Sequence, residues 1–485
     1  MILYILNHPY HYEMENLCRA FCPAENLRRL SKRESPKGRL RTIKHSLVVI
    51  TRIYNGNILA ALQIGKKKLS LSHAVTENAE LTMAQMLFTL LRRATGITPP
   101  WGLLTGVRPS KLMLRLRRDN GPVYAKRYFR NILWVSEEKT NLAIAVAQAE
   151  EPVLALTGPR SFSLYISIPF CPSRCSYCSF VSHTIDRTSA QKLIPAYVGK
   201  LCEELARTGE IAGKLGLQMQ SVYVGGGTPT SLNPGQLRLL CQAMQVSFDW
   251  QYCDEFTVEA GRPDTITEEK LHILKQFGAN RISVNPQSLD DQVLAQAGRG
   301  HTARQALGCF ELVRQVGFRN INMDLIAGLP GDTPQGFART LEQIIALGPE
   351  NITVHVLALK RAAKLNEIHG DAGEFLSFAS RLLPQAGYQP YYMYRQSRSL
   401  GNLENIGWSL PGHFCRYNID MMEESHSILA CGAGGVTKLK QHGSDDLERV
   451  FSLKYPYEYL SRFDELMERK EKIRVFYREA GLNCL

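Results

Sequence analysis

Cys171-Pro172-Ser173-Arg174-Cys175-Ser176-Tyr177-Cys178 brings three thiols into eight residues of a 485-residue chain. Thiolates are the usual ligands of iron–sulfur clusters. Three on one loop can hold three irons of a four-iron, four-sulfur cluster and leave the fourth iron open. An open position separates a metal centre that reacts with a substrate from a structural one. Zinc with a remote fourth ligand is the first alternative, although the C-x3-C-x2-C spacing lacks the second ligand pair that zinc sites carry. Three unrelated buried thiols are the other. Twelve cysteines are too sparse for a disulfide scaffold in so long a chain, so a reducing compartment is expected. Cys18 and Cys22, after His8 and His11, allow a second metal site on paper, but Leu17 and Phe21 between them suggest a helix packing its apolar face. Cys202, Cys241, Cys253, Cys309, Cys415, Cys431 and Cys484 are scattered, and small buried hydrophobes are their default role.

The cysteine loop follows a β-rich run at 163–168. Further runs stand at 220–224, Glu255–Glu259, 281–285, 321–326 and 352–357, with helix-length amphipathic stretches in most intervals. Strands alternating with helices predict a parallel sheet with helices outside it. Six units are fewer than the eight of a closed barrel, so an α/β fold built on an open, partial (β/α)6 barrel over 160–385 is expected. Loops at the C-terminal ends of such strands are where α/β barrels keep their chemistry. Gly225-Gly226-Gly227-Thr228 ends the second strand, and glycines there let backbone approach a ligand closely. Glu259 ends the third, where its carboxylate can accept hydrogen bonds from hydroxyl groups. Each feature has a plainer reading: a turn for the glycines, a solvated or salt-bridged side chain for Glu259.

Outside the barrel, residues 1–150 read as a small α+β domain, with strands at 46–54 and 58–64 joined across Asn55-Gly56-Asn57, a helix at 81–93, and a basic helix holding Arg115, Arg117, Arg118, Lys126, Arg127 and Arg130. Residues 151–162 read as a linker, and 386–485 as a separate C-terminal α+β domain covering the substrate, ending in helices around 456–469. Its Tyr391, Tyr392, Tyr394, Trp408 and His413 allow either a ligand-facing wall or an aromatic core.

The chain carries a net charge of +13, yet residues 1–150 alone hold 24 Lys and Arg against 10 Asp and Glu. That excess raises the possibility of an RNA footprint. Against it, the basic run 28–44 has no aromatic residue among its charges, whereas single-strand binders interleave stacking platforms. No stretch reaches the ~18 apolar residues of a membrane span. The first residues show neither a basic leader nor a cleavage site, and a cytoplasmic protein is expected.

The cysteine loop, with Tyr177 before its last cysteine, resembles that of the radical S-adenosylmethionine enzymes. The preceding string Leu164-Tyr165-Ile166-Ser167-Ile168-Pro169-Phe170 is similar to the coproporphyrinogen-oxidase-like branch. Further matches are Val258-Glu259-Ala260, Asn280-Arg281-Ile282-Ser283, Pro286-Gln287-Ser288, Gly298-Arg299-Gly300-His301 and Asp324-Leu325-Ile326-Ala327-Gly328-Leu329-Pro330-Gly331. The stretches from Trp101 to Pro109, from Gly401 to Gly407 and from Gly432 to Gly435 look like the long HemZ-type subgroup of coproporphyrinogen dehydrogenases. The resemblance implies one four-iron, four-sulfur cluster on Cys171, Cys175 and Cys178. It also implies S-adenosylmethionine held around Tyr165, Tyr177, Gly226, Gly227, Thr228, Glu259, Gln287, Arg299 and Asp324. Arg299 has the fork that can grip a carboxylate bidentately.

The implied reaction belongs to haem biosynthesis. Cleavage of S-adenosylmethionine supplies a 5′-deoxyadenosyl radical, which takes a hydrogen from a propionate of coproporphyrinogen III. Loss of carbon dioxide and one electron then leaves a vinyl group, so an external electron donor and acceptor are implied as partners. Two positions depart from the pattern. Phe180 stands where well-established coproporphyrinogen enzymes have a further cysteine, a position at which the haem-chaperone relatives also have Phe, and Ser167 stands where a histidine is usual. Decarboxylation ranks first, a haem-binding or haem-delivery role second, and a radical enzyme acting on nucleic acid third.

Overall fold

A computed structural model describes residues 1–22, 27–30, 47–180, 183–185, 188–358, 372–396 and 399–481. Most of the basic run and Cys484 lie outside the described residues. The chain forms two compact units, Met1–Ile144 with Arg395–Leu403, and Ala145–Tyr394 with Glu404–Leu485.

The first unit is built on strands β1 (Ile2–Leu6), β2 (Arg28–Leu30), β3 (Val48–Tyr54), β4 (Asn57–Ile64) and β5 (Lys67–Ala74), ordered β2-β1-β3-β4-β5. β3 and β4 pair antiparallel across Asn55 and Gly56, both at positive φ, the conformation that lets a two-residue turn follow the strand twist. Helix His11–Phe21 buries Leu17, Cys18 and Phe21, as its apolar spacing predicts. The long basic helix is divided: Pro109–Asn120 stops at Gly121, with φ +87°, and Pro122 opens a short second helix, Pro122–Arg127. Helix Glu137–Leu154 runs into the expected linker, with Pro152 in its last turn.

The second unit carries β6 (Ser161–Ile168), β7 (Phe170–Cys171), β8 (His183–Thr184), β9 (Gln218–Gly226), β10 (Glu255–Glu259), β11 (Arg281–Ser283), β12 (Asn320–Ala327) and β13 (Asn351–Val356). Strands β6, β9, β10, β11, β12 and β13 pair in that order, all parallel, and are the six predicted from the sequence. Their apolar runs are buried almost throughout, as a parallel sheet covered on its faces requires.

The expectation of a separate C-terminal domain is corrected here. β14 (Gln389–Arg395), β15 (Glu404–Ser409), β16 (Ser427–Cys431), β17 (Val436–Lys440) and β18 (Leu447–Phe451) extend the same sheet to eleven strands. β15 lies antiparallel beside β13, and β16 parallel beside β6. An open parallel sheet leaves unpaired N–H and C=O groups on both edges. The C-terminal chain covers both, so it belongs to the barrel unit. Tyr391, Tyr392 and Trp408 are buried there, and a Cβ on Gly407 would overlap the Tyr392 ring, so these aromatics form core.

Candidate functional site

The cysteine loop leaves β6 through Pro169 and β7 and is fastened at several points. Cys178 N–H donates to the Cys175 carbonyl at 3.2 Å, and Ser176 N–H to the Ala297 carbonyl at 3.0 Å. Tyr177 packs into an apolar cluster of Val293, Ala297, Ile326, Leu329 and Leu357. That burial pushes its phenol well above the usual range. The Cys171 sulfur accepts from the Thr228 hydroxyl at 3.5 Å, and the Cys175 sulfur from Arg262 Nη1 and Arg299 Nη1 at 3.9 and 3.8 Å. Burial raises the Cys178 thiol.

The glycine run at the end of β9 lies directly against this loop. Gly227 N–H donates to the Ile168 carbonyl and Thr228 N–H to the Phe170 carbonyl, each at 2.8 Å. A Cβ on Gly227 would sit 2.6 Å from the Phe170 oxygen, and Gly226 has φ +105°, so side chains are excluded at both positions.

Below it, Tyr165, Tyr223 and Tyr417 stack, Tyr223 and Tyr417 with ring centres 4.4 Å apart. Tyr223 donates its hydroxyl to Glu259 Oε1 at 2.5 Å. Burial drives the Glu259 carboxyl from 4.5 up to about 7, with the nearby Asp324 charge adding to the rise. Burial also acts upward on Asp324, but the hydrogen bond and charge of His355, 3.6 Å away, together with Asn322, outweigh it and hold Asp324 below its ordinary value. Glu259 at the end of β10 and Asp324 inside β12, not at the strand end expected for it, are therefore shifted in opposite directions, the pattern by which one pocket separates its acid and base roles.

Gln287 has φ +70°, donates its N–H to the Asp324 carbonyl at 2.9 Å, and leaves its buried Oε1 without a hydrogen-bond partner among the described residues. Arg299 turns its guanidinium to the carbonyls of Gly261 and Asn285 as well as to Cys175. The predicted site residues Tyr165, Tyr177, Gly226, Gly227, Thr228, Glu259, Gln287, Arg299 and Asp324 are all in the barrel unit, in its strands or the loops beside the cysteines.

The sequence profile of the radical SAM superfamily matches residues 165–344. A Bacillus subtilis protein named oxygen-independent coproporphyrinogen-III oxidase-like protein HemZ is 37% identical over 404 residues, 81% of this chain and 80% of that one. The chain belongs to the coproporphyrinogen-oxidase-like branch of the radical SAM superfamily. A haem chaperone, HemW of the same organism, is 35% identical but aligned over only 41% of this chain and 51% of its own length. The solved structure of the Escherichia coli coproporphyrinogen III oxidase HemN, 22% identical, matches with a TM-score of 0.50 over 66% of this chain and 73% of that one, a likeness of fold.

The radical SAM cofactors can be tested against these residues. Among the described residues no three His, Cys, Asp or Glu side chains converge on a point that could hold a single metal ion. A cluster asks each thiolate for a different iron, so its sulfurs surround a volume and not a point. Three thiols on one loop, cationic donors at one sulfur, a glycine cradle and an orphaned buried Gln287 oxygen fit a cluster with a polar organic ligand beside it. Among the described residues, His8, His11, Cys18 and Cys22 do not converge as a metal-binding group. Cys18 is buried and its thiol pushed far up, His8 pairs with Thr51, and His11 contacts the Pro9 carbonyl.

Sequence reasoning missed Arg262 and the partners of the two carboxyls, Tyr223 on Glu259 and His355 on Asp324. Arg262, three residues past Glu259 at the same strand end, was the one legible from position. Arg281, inside a matched motif, belongs elsewhere. It pairs with Glu255 at 3.4 Å at the opening ends of β10 and β11 and donates to the His413 and Phe414 carbonyls. Among the described residues no helix is long and apolar enough to cross a membrane.

Proposed function

We propose that this chain is an oxygen-independent coproporphyrinogen III dehydrogenase that converts propionates to vinyl groups. The observation that supports it best is the junction of the three-cysteine loop with the Gly226-Gly227-Thr228 cradle and Glu259, in a chain alignable with HemZ over most of its length. Cys171, Cys175 and Cys178 would hold the cluster. Gly226 and Gly227 offer bare backbone to S-adenosylmethionine, Glu259 accepts its ribose hydroxyls when ionised, and Gln287 Oε1, Asp324, Arg299, Thr228, Tyr165 and Tyr177 bound the remainder. When bound, the cluster and S-adenosylmethionine together supply the radical that takes a hydrogen from the substrate. The barrel residues orient the reactants and keep water out, and Arg299 and Arg262 place positive charge beside the cysteines.

Phe180 favours a second reading, haem binding or delivery, because it replaces the additional cysteine; the residue is 61% exposed. One experiment separates the two. The protein is reconstituted anaerobically with iron and sulfide, then given dithionite, S-adenosylmethionine and coproporphyrinogen III, with Cys175→Ala as control. Protoporphyrinogen or its singly decarboxylated precursor, absent from the control, is the expected result. Deoxyadenosine without tetrapyrrole conversion, combined with tight haem binding, would replace dehydrogenation by haem handling.

A further inference from the structure

Arg262 matches no cofactor position carried over from the family, yet it is 3% exposed and lies against the cysteine loop. One edge of its guanidinium is gripped by Asp264, Nε to Oδ1 at 3.1 Å and Nη2 to Oδ2 at 3.2 Å. The remaining hydrogens reach the loop: Nη1 to the Ser173 carbonyl at 3.2 Å, Nη2 to the Ser173 hydroxyl at 3.0 Å, and Nη1 to the Cys175 sulfur at 3.9 Å. Arg299 meets the same sulfur from β11's side of the barrel at 3.8 Å. The fork is rigid because both its edges are engaged. Neither residue adjoins a cysteine in sequence, so the tertiary fold alone delivers two cations to one of the three thiols.

Cluster reduction adds an electron, and so negative charge, to a group whose potential follows net charge, hydrogen bonds to sulfur and solvent exposure. Partners behind the ligands commonly set this tuning. We propose that Arg262, fixed by Asp264, is a positioning residue that raises the reduction potential of the cluster through the Cys175 thiolate. This rests on the cluster assignment made above. Arg262 stabilises the reduced state by its charge and its N–H···S contact. Asp264, anionic and one residue further out, holds the fork in place and offsets part of that charge.

Opposite shifts from the two partners would separate electrostatic tuning from loop bracing. The full-length protein and its Arg262→Gln and Asp264→Asn variants are reconstituted anaerobically, assayed for iron and sulfide, and titrated with dithionite while the reduced-cluster signal is followed by electron paramagnetic resonance. Arg262→Gln is expected to shift the midpoint to more negative potential. Asp264→Asn, which keeps an acceptor for the fork but removes its charge, is expected to shift it to more positive potential. Loaded variants with an unchanged midpoint, or a shift in the same direction for both, would overturn the proposal. Should Arg262→Gln take up no cluster, the sign for Asp264→Asn decides by itself. Failure of the unsubstituted protein to bind iron and sulfide would instead remove the cluster assignment, a distinct result.

Discussion

Glu259 and Asp324 show how one pocket gives two carboxyls different characters. Tyr223 donates to Glu259, but burial dominates and lifts that group to about 7; His355 and Asn322 keep Asp324 ionised. The stability consequence has a definite sign. A folded-state pKa above the unfolded value means that the folded protein binds the proton more tightly. The group's contribution is thus fully present below about 4.5 and lost as pH rises through about 7. Glu259→Gln is therefore expected to melt higher than the parent at about pH 8, by a gain of roughly 3 kcal/mol in the ligand-free protein, and by less than about 1 kcal/mol at about pH 5. Calorimetry at the two pH values checks this. In the proposed cofactor role, equilibrium dialysis with S-adenosylmethionine should show affinity falling below pH 7 in the parent, and weak, pH-insensitive binding in the variant.

Strand ends are where the sheet concentrates demands on residue type. At the C-terminal end of β9, Gly227 has backbone oxygens on the side where a Cβ would go. Gly227→Ala should force that turn away from the Phe170 carbonyl and cost about 1–3 kcal/mol by overpacking. Urea unfolding measures the cost, and loss of S-adenosylmethionine binding with unchanged circular dichroism would localise it. At the opening ends, Glu255 accepts N–H groups of Arg416 and Tyr417 at 2.8 and 3.1 Å, holding the start of helix Arg416–Glu423 while facing Arg281. Breaking a buried pair from one side leaves an uncompensated charge, so Arg281→Met should destabilise by about 3–5 kcal/mol. Adding Glu255→Gln should recover part of the loss, which a double-mutant cycle in urea reads directly.

Across the whole molecule, the unusual feature is the Arg395–Leu403 segment, which leaves β14 to join the first unit before the chain returns as β15. Within that unit Arg395 donates to the carbonyls of Leu104, at 2.5 Å, and Asn402, at 3.2 Å, with its guanidinium 5.7 Å from the Trp101 ring centre. Its backbone N–H donates to the Val107 carbonyl at 2.7 Å. Trp101, Leu104 and Val107 lie in the stretch 101–109, and Asn402 in the stretch 401–407, so Arg395 ties parts of the two together. Arg395→Ala should remove the side-chain donor from the part-buried carbonyls of Leu104 and Asn402, at a cost of about 1–3 kcal/mol. Hydrogen exchange is expected to quicken over 101–107 and to remain slow in β6.

Local patterns carried much of this protein. The alternation of β-rich runs and amphipathic stretches specified six parallel strands, with Glu255–Glu259 matching its strand end to end, because each repeat is a property of adjacent residues. The cysteine spacing and the Gly225-Gly226-Gly227 run were legible for the same reason. Contacts between distant segments were not. No local signal tells β16 to lie beside β6, Tyr417 to stack on Tyr223, or Arg262 and Arg299 to meet at one sulfur. Pairing of an open sheet edge and the pKa of a buried carboxyl depend on which surfaces meet and exclude water, and those are properties of the folded chain alone.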